Sequence, residues 1–71
     1  MKRHQVQSST IASFGYDADR SILEIEFKNA RIYRYFVVPA EVIARLRASE
    51  SKGQFYLHEV RDKYPYQEVT D

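Results

Sequence analysis

The chain has no cysteine and no tryptophan, and it has only two glycines and two prolines among 71 residues. The absence of cysteine excludes a disulfide scaffold and a thiolate zinc site. Two isolated glycines, Gly15 and Gly53, do not make a glycine-rich phosphate loop. No apolar run approaches the roughly 20 residues that span a bilayer, and the first residues lead into no signal-peptide core. We therefore expect a cytoplasmic domain with no membrane partner.

An excess of charge is also missing. Lysine and arginine number 11 against 10 aspartate and glutamate, which gives a net charge of +1. Strong nucleic-acid modules are usually more basic, so any such binding would depend on where the charges lie. One small domain of this length buries roughly 60% of its unfolded surface, which leaves little room for an enclosed active site. Apolar residues at 44% and aromatic residues at 14% nevertheless suffice for a core.

What the chain does contain is three consecutive segments in which apolar and polar residues alternate. The first places Phe14 and Tyr16 on one face and Ile11 on the other. The second runs over residues 22–27 and the third over residues 31–38. Alternation of this kind, interrupted by turn residues, predicts a three-stranded antiparallel meander.

The loop between the second and third strands decides which residues face each other. A two-residue loop would place Tyr33 and Tyr35 opposite glutamates. A three-residue loop instead pairs Tyr33 with Ile25 and Tyr35 with Leu23. We predict the three-residue loop, because it gathers the apolar side chains on one face. Its cost is that Ala30 occupies a left-handed position that favours glycine, at about 1 kcal/mol.

Two helices are expected after the third strand. Pro39 suits the first turn of a helix, and helical spacing of apolar residues continues to about Ala48. A second helix is expected over residues 52–63, with Ser51 as its cap, although Gly53 in the first turn weakens it. The predicted fold class is therefore α+β, with a three-stranded antiparallel β-meander followed by two short helices packed on one face.

The two ends of the chain are expected to lie outside this core. Residues 1–7 are polar and predict a flexible N-terminal tail, and residues 8–69 predict a single domain. Tyr64, Pro65 and Tyr66 are expected to leave the second helix as an extended tail, since a residue before proline avoids the helical conformation.

Several short fragments follow one another along most of the chain: Ser8-Ser-Thr-Ile-Ala-Ser, Leu23-Glu-Ile-Glu-Phe-Lys-Asn, Tyr33-Arg-Tyr-Phe, Val38-Pro39, Ser51-Lys-Gly and Arg61-Asp-Lys-Tyr-Pro-Tyr. Their order and spacing closely resemble the KTSC domain, a family named for its place at the C-terminus of some lysyl-tRNA synthetases. Asn29-Ala30 departs from the Asn-Gly common in the family. The resemblance implies a small domain that also occurs in free-standing bacterial and phage proteins. Through the synthetase it implies RNA, such as tRNA, as a ligand.

Basic and aromatic residues supply the candidate binding surface. One group is expected where the helices meet and another near the C-terminus, and together they comprise Arg45, Arg47, Lys52, Arg61, Lys63 and Tyr66. A mixture of cations and aromatic rings suits single-stranded nucleic acid. The plainer interpretation is that these are scattered, solvated surface charges.

Other residues have both a structural and a binding interpretation. Tyr33 and Tyr35 could stack on bases, but the predicted register favours packing beneath the helices. Arg34 could contact phosphate, but a cross-strand pair with Glu24 is favoured. The residues predicted to carry the structural motif of the fold are Tyr33, Tyr35, Pro39, Tyr64 and Pro65.

The sequence contains few residues that are suited to catalysis. His58 and Asp62 are spaced for a contact on one helix face, but no nucleophile accompanies them and they lack further metal ligands. We therefore expect no enzyme activity, no metal, no cofactor and no small-molecule substrate. The alternatives are an RNA-binding domain or a module that binds a protein in a larger assembly. The sequence leaves open whether Ile22, Ile32 and Phe36 mark an interface on the open sheet face.

Overall fold

The computed structural model describes residues 3–70 and has one five-stranded antiparallel sheet with two helices. The strands are consecutive neighbours in the sheet and are β1 (His4–Gln5), β2 (Ile11–Asp17), β3 (Ile22–Phe27), β4 (Ile32–Tyr35) and β5 (Tyr66–Val69). The helices are α1 (Ala40–Ala48) and α2 (Lys52–Glu59). The predicted α+β class with two helices is confirmed.

The two outer strands correct the predicted number of three. Strand β1 pairs with β2, and β5 pairs with β4, so both segments that the sequence predicts as tails extend the sheet. Pro65 has no amide hydrogen, but its carbonyl accepts a hydrogen bond from the Phe36 amide at 2.9 Å and brings β5 alongside β4. Flexibility of residues 1–7 stays a prediction. Met1 and Lys2 lie outside the described residues.

The hairpin between β3 and β4 has the predicted register. Leu23 lies opposite Tyr35, and Ile25 lies opposite Tyr33. The Phe27 amide donates to the Arg31 carbonyl at 2.9 Å, which closes a three-residue loop. Ala30 has a φ of 72°, so an alanine occupies the left-handed position that normally favours glycine.

Replacement of Ala30 by glycine is therefore expected to stabilise the protein. The left-handed conformation costs an L-residue roughly 1–2 kcal/mol, and the greater freedom of glycine in the unfolded chain offsets about 0.4–1 kcal/mol of that. The free energy of unfolding, measured by urea denaturation, should rise by about 1 kcal/mol or less. Ala18→Gly is the matched control, because Ala18 lies in an exposed turn without a positive φ. It should be neutral or destabilising. Equal effects of both substitutions would contradict this explanation.

Ile11 in β2 lies on the covered face of the sheet, whereas alternation predicts the open face. The register shifts between Ile11 and Ser13, so Ile11 lies opposite Phe27 and is fully buried with Phe14. A bulge inserts an extra residue and turns the following side chains over, which period-two counting cannot detect. The correction moves Ile11 from the open face into the core.

The core lies between the sheet and the helices. It contains Ile11, Phe14, Leu23, Ile25, Tyr35, Val38, Val42, Ile43, Leu46 and Val60. The Tyr16 hydroxyl donates to the Val38 carbonyl at 2.6 Å and ties β2 to the segment before α1. Helix α1 begins directly after Pro39, as predicted.

Helix α2 is shorter than the sequence predicts. The Ser51 hydroxyl accepts from the Gln54 amide at 3.3 Å, so the predicted cap is confirmed. The helix ends at Glu59 instead of Lys63, because the amides of Val60 and Arg61 both donate to the Tyr56 carbonyl. Asp62 then takes a φ of 64°, which a continuing helix excludes.

The open face of the sheet carries a compact ion-pair network. Arg34 donates from Nε to Glu24 at 3.0 Å, and Arg3 lies 3.5 Å from the other oxygen of the same carboxylate. Glu24 is only 7% exposed between them. The predicted pair of Glu24 with Arg34 is therefore confirmed. Ile22, Ile32 and Phe36, which the sequence left open as an interface, are each half-buried.

Candidate functional site

Aromatic side chains from four elements surround a depression of about 540 Å³ beside α2. Its aromatic walls are formed by Phe27, Tyr33, Tyr35, Tyr56 and Tyr66. Its polar rim is formed by Ser9, Thr10, Lys28, Asn29, Arg61 and Asp62. We call this cavity the aromatic depression. Residues from strands β3, β4 and β5 meet the helix here, so the site exists only in the folded domain.

The register of the sheet brings the tyrosines together. Tyr66 lies directly opposite Tyr35, and its ring centroid is 5.6 Å from that of Tyr35 and 5.7 Å from that of Tyr33. Tyr56 from α2 approaches Phe27 edge-on at 5.1 Å. These separations and angles are favourable for aromatic pairs. Tyr66 is nevertheless 59% exposed, so much of its ring is accessible to a ligand.

Two tyrosine hydroxyls meet within the depression. The Tyr35 and Tyr56 oxygens lie 2.6 Å apart in a hydrogen bond. Burial raises the pKa of Tyr35 strongly, because an ionised phenolate would lose its hydration, and the bond to Tyr56 raises the pKa further. Tyr35 is thus a neutral hydrogen-bonding group at any physiological pH.

The raised pKa of Tyr35 predicts a loss of stability at alkaline pH. Below pH about 10 the tyrosine keeps its proton in both the folded and unfolded states. Above that pH the unfolded chain releases the proton and folded Tyr35 does not, so the free energy of unfolding should fall by about 1.4 kcal/mol per pH unit. Urea denaturation isolates this contribution if the wild type and Tyr35→Phe are compared between pH 9 and 11, a range that roughly spans the tyrosine pKa. Tyr66→Phe, which changes an exposed ring, should show the same fall in the free energy of unfolding with pH as the wild type. Identical pH dependence of Tyr35→Phe and the wild type would contradict the assignment.

Basic residues border the aromatic depression on two sides. Arg61 and Lys28 are both exposed, and the Arg61 Nε lies 4.0 Å from the Asp62 carboxylate. Arg31 lies beside Tyr33 outside the lining of the depression. Tyr33 raises the pKa of the Arg31 guanidinium most, and the charge of Glu68 raises it further. The rim therefore places the Lys28 and Arg61 cations next to aromatic rings, with the Asp62 carboxylate beside Arg61.

A second cavity of about 290 Å³ adjoins the aromatic depression. Its walls include Ser9, Thr10, Tyr56 and Arg61, which also line the aromatic depression. Gly53 lies in its wall, and a Cβ there would stand 3.3 Å from the Thr10 hydroxyl oxygen. Glycine at this position lets the loop before β2 approach the first turn of α2. This is the physical reason for a residue that local helix propensity disfavours. We call this cavity the polar groove.

The six predicted binding residues do not form one surface. Arg61 and Tyr66 meet at the aromatic depression. Arg45 donates to Glu59 at 2.8 Å and lies over the Phe55 ring, so it joins α1 to α2. The Lys52 amine donates to the carbonyls of Ser49 and Arg47 and closes the end of α1.

The remaining predicted residues are dispersed. Arg47 borders a shallow apolar hollow near β1, and Lys63 is exposed and does not line the aromatic depression. Among the structural-motif residues, Pro39 precedes α1, Tyr64 packs against the core and Pro65 leads into β5.

Sequence reasoning missed several walls of the site. Phe27 and Tyr56 are expected from their spacing to be simple core residues, yet both are only half-buried and line the depression. No local signal indicates this, because residues 66–69 do not alternate apolar and polar side chains. Only the pairing of β5 with β4 brings Tyr66 to the other tyrosines.

The spacing of His58 and Asp62 would place them on one face only if α2 continued to Asp62, and it does not. His58 Nε2 instead lies 3.2 Å from the Gln54 side chain, one turn earlier, because α2 ends before Asp62. Within residues 3–70, no three histidine or acidic side chains gather as metal ligands. In the same residues, neither helix is long and apolar enough to cross a membrane.

The chain is similar to known proteins over most of its length. The sequence profile of the KTSC domain family matches residues 7–64. An uncharacterised protein of Stutzerimonas stutzeri is 45% identical over 56 residues, which is 79% of each chain. The lysine–tRNA ligase of Trichormus variabilis is 30% identical over 64 residues. That match covers 90% of this chain and 11% of the ligase.

A solved structure has the same fold. The crystal structure of a KTSC domain protein from Yersinia pestis superposes with a TM-score of 0.95 at 33% sequence identity, and the match covers 97% of both chains. The family profile, the sequence relatives and the fold together show that this chain belongs to the KTSC domain family.

Proposed function

We propose that this domain is a non-catalytic RNA-binding module that contacts RNA through the aromatic depression. The observation that carries the proposal is the meeting of Tyr33, Tyr66 and Arg61 at one accessible cavity. Aromatic rings stack on bases irrespective of their identity, and neighbouring cations attract the phosphate backbone. The site therefore combines the two interactions that single-stranded nucleic acid requires.

The relatives support RNA as the ligand. A segment like this chain is part of a lysine–tRNA ligase, and that enzyme's name includes tRNA. The net charge of +1 limits the number of phosphates that the domain neutralises. We therefore expect moderate affinity at low salt and few phosphate contacts. A cytoplasmic location, where such RNA is found, stays a prediction.

Titration of bulk tRNA tests the proposal. Affinity should fall as salt is raised, because binding releases counterions. Arg61→Ala should weaken binding and reduce the slope of log affinity against log salt by about 1, the contribution of one phosphate contact. Arg47→Ala is the control, because Arg47 is an exposed cation outside the aromatic depression. Lys63→Ala should weaken binding less than Arg61→Ala. No binding at low salt would eliminate RNA as the ligand.

A protein partner is the second candidate, and one feature favours it. Val37 is 72% exposed and has a φ of 60°, a rare and strained conformation for a β-branched residue. The strained backbone is the feature that favours this candidate, because strain of this kind is found mainly at functional sites, and a partner with an apolar pocket would bury the Val37 side chain. Val37→Gly should relieve the strain and raise stability whether or not a partner binds. If Val37 inserts into a partner, the same substitution should also abolish capture of a co-purifying protein.

A further inference from the structure

We propose that the aromatic depression and the polar groove together hold one unpaired nucleotide, with its base among the tyrosines and its phosphate beside Ser9 and Thr10. The inference rests on the RNA-binding function proposed above and specifies the ligand. The two cavities share Ser9, Thr10, Tyr56 and Arg61, so a ligand passes from one to the other without leaving the surface.

The aromatic end selects an unpaired base. Its volume of about 540 Å³ lies within the usual range of small-ligand sites. The hairpin loop stands on one side, with Lys28 and Asn29, and α2 stands on the other, with Tyr56. A base inside a duplex has both of its faces covered by its neighbours, and it would have to leave the stack to contact Tyr66. A base in a single strand is free to do so.

The paired hydroxyls specify a polar feature of that base. Tyr35 and Tyr56 together carry two hydroxyl protons, and the bond between their oxygens uses one of them. The second proton is available to a ligand, because both residues line the aromatic depression. A ring nitrogen or carbonyl oxygen of a base provides an acceptor for this proton. Burial raises the pKa of Tyr35, so this residue keeps its proton and stays a neutral hydrogen-bonding group.

The polar groove supplies donors for the phosphate. The Ser8 hydroxyl oxygen accepts from the amides of Thr10 and Ile11 at 3.1 and 3.2 Å, which fixes the conformation of this loop. Ser9 and Thr10 are exposed in the fixed loop, and Arg61 lies at the junction of the two cavities. Hydroxyl groups beside a guanidinium are the side chains that commonly contact phosphate oxygens.

Competition among three RNA forms tests the inference. A labelled single strand is displaced by the same unlabelled strand, by its blunt duplex, and by the strand with its bases removed at successive positions. The single strand should compete at least about 10-fold better than the duplex. A strand without any base should compete about 5-fold or more worse than the intact strand, and a strand that keeps one base should compete nearly as well as the intact strand, because the site holds one base. Arg61→Gln should weaken every form that binds, whereas Arg47→Gln should leave all of them unchanged.

The results separate the two proposals. Equal competition by single strand, duplex and abasic strand would overturn the one-nucleotide site, while RNA binding itself would stand. If a double variant with Thr10→Val and Arg61→Gln binds the single strand as tightly as the wild type does, the placement of the phosphate is overturned. Absence of binding by every form would refute the RNA-binding function, and this inference would fail with it. Circular dichroism of each variant verifies that it is folded.

Discussion

Leu46→Ala is expected to remove a large part of the stability of this domain. Leu46 is fully buried on the face of α1 that packs against the sheet. Truncation of a buried leucine to alanine costs about 2–5 kcal/mol, because it loses apolar burial and leaves a cavity. A domain of this size has a total stability of roughly 4–11 kcal/mol. Urea denaturation should therefore show a sharply lower midpoint with an unchanged slope.

Leu57→Ala is the matched control for the effect of burial. Leu57 has the same side chain and also lies on a helix, but it is 44% exposed. Its truncation should change the free energy of unfolding by about 0.5 kcal/mol or less. Similar losses in the two variants would mean that α1 does not cover the sheet as described.

Tyr66→Ala is expected to have the largest effect on RNA binding. The Tyr66 ring is the most accessible aromatic wall of the depression, and it contacts Tyr33 and Tyr35 from the edge strand. Loss of one stacking ring costs about 1–3 kcal/mol, which is roughly a 5- to 150-fold weakening of the affinity. Fluorescence anisotropy with a short labelled single strand measures this change.

Tyr66→Phe separates stacking from hydrogen bonding at the same position. It keeps the ring and removes only the hydroxyl, so the affinity should stay close to that of the wild type. Equal losses in Tyr66→Phe and Tyr66→Ala would mean that the hydroxyl binds and the ring does not stack. An unchanged affinity in Tyr66→Ala, with its fold intact, would exclude the aromatic depression as the binding site.

The central hairpin was predictable because two independent constraints agree on one register. The three-residue loop gathers Leu23, Ile25 and the tyrosines on the covered face, and it also pairs Glu24 with Arg34 on the open face. A slip of one residue would have moved every side chain to the wrong face. That penalty exceeds the local cost of Ala30, so the tertiary fold overrides the preference of the turn.

The edges of the sheet were not predictable from local pattern. A two-residue strand such as β1 is too short to show any periodicity, and β5 follows a proline that indicates a break. The bulge after Ile11 exists only in relation to its partner strand. These features depend on contacts between residues far apart in the sequence, and local residue patterns do not reveal such contacts.

The sequence indicates the type of the candidate binding residues, but it does not indicate which of them share one surface. The sequence pattern predicts Arg45 and Lys52 to be basic residues on the surface. In the structure Arg45 joins the two helices, and Lys52 donates to carbonyls at the end of α1. Sequence alone does not distinguish a cation that holds the fold together from one that meets a ligand. Arg61 and Tyr66 reach the same cavity because α2 ends early and β5 joins the sheet.

An NMR titration with a short single-stranded RNA tests the aromatic depression as the RNA site most directly. It follows the ring signals of all six tyrosines and the side-chain signals of arginine and glutamate. Binding there predicts large shifts at Tyr33, Tyr35, Tyr56 and Tyr66, together with the Arg61 guanidinium. Tyr16, which bonds to the Val38 carbonyl in another part of the domain, should not shift. Shifts confined to Arg34 and Glu24 on the open face, or no shifts at low salt, would contradict the account.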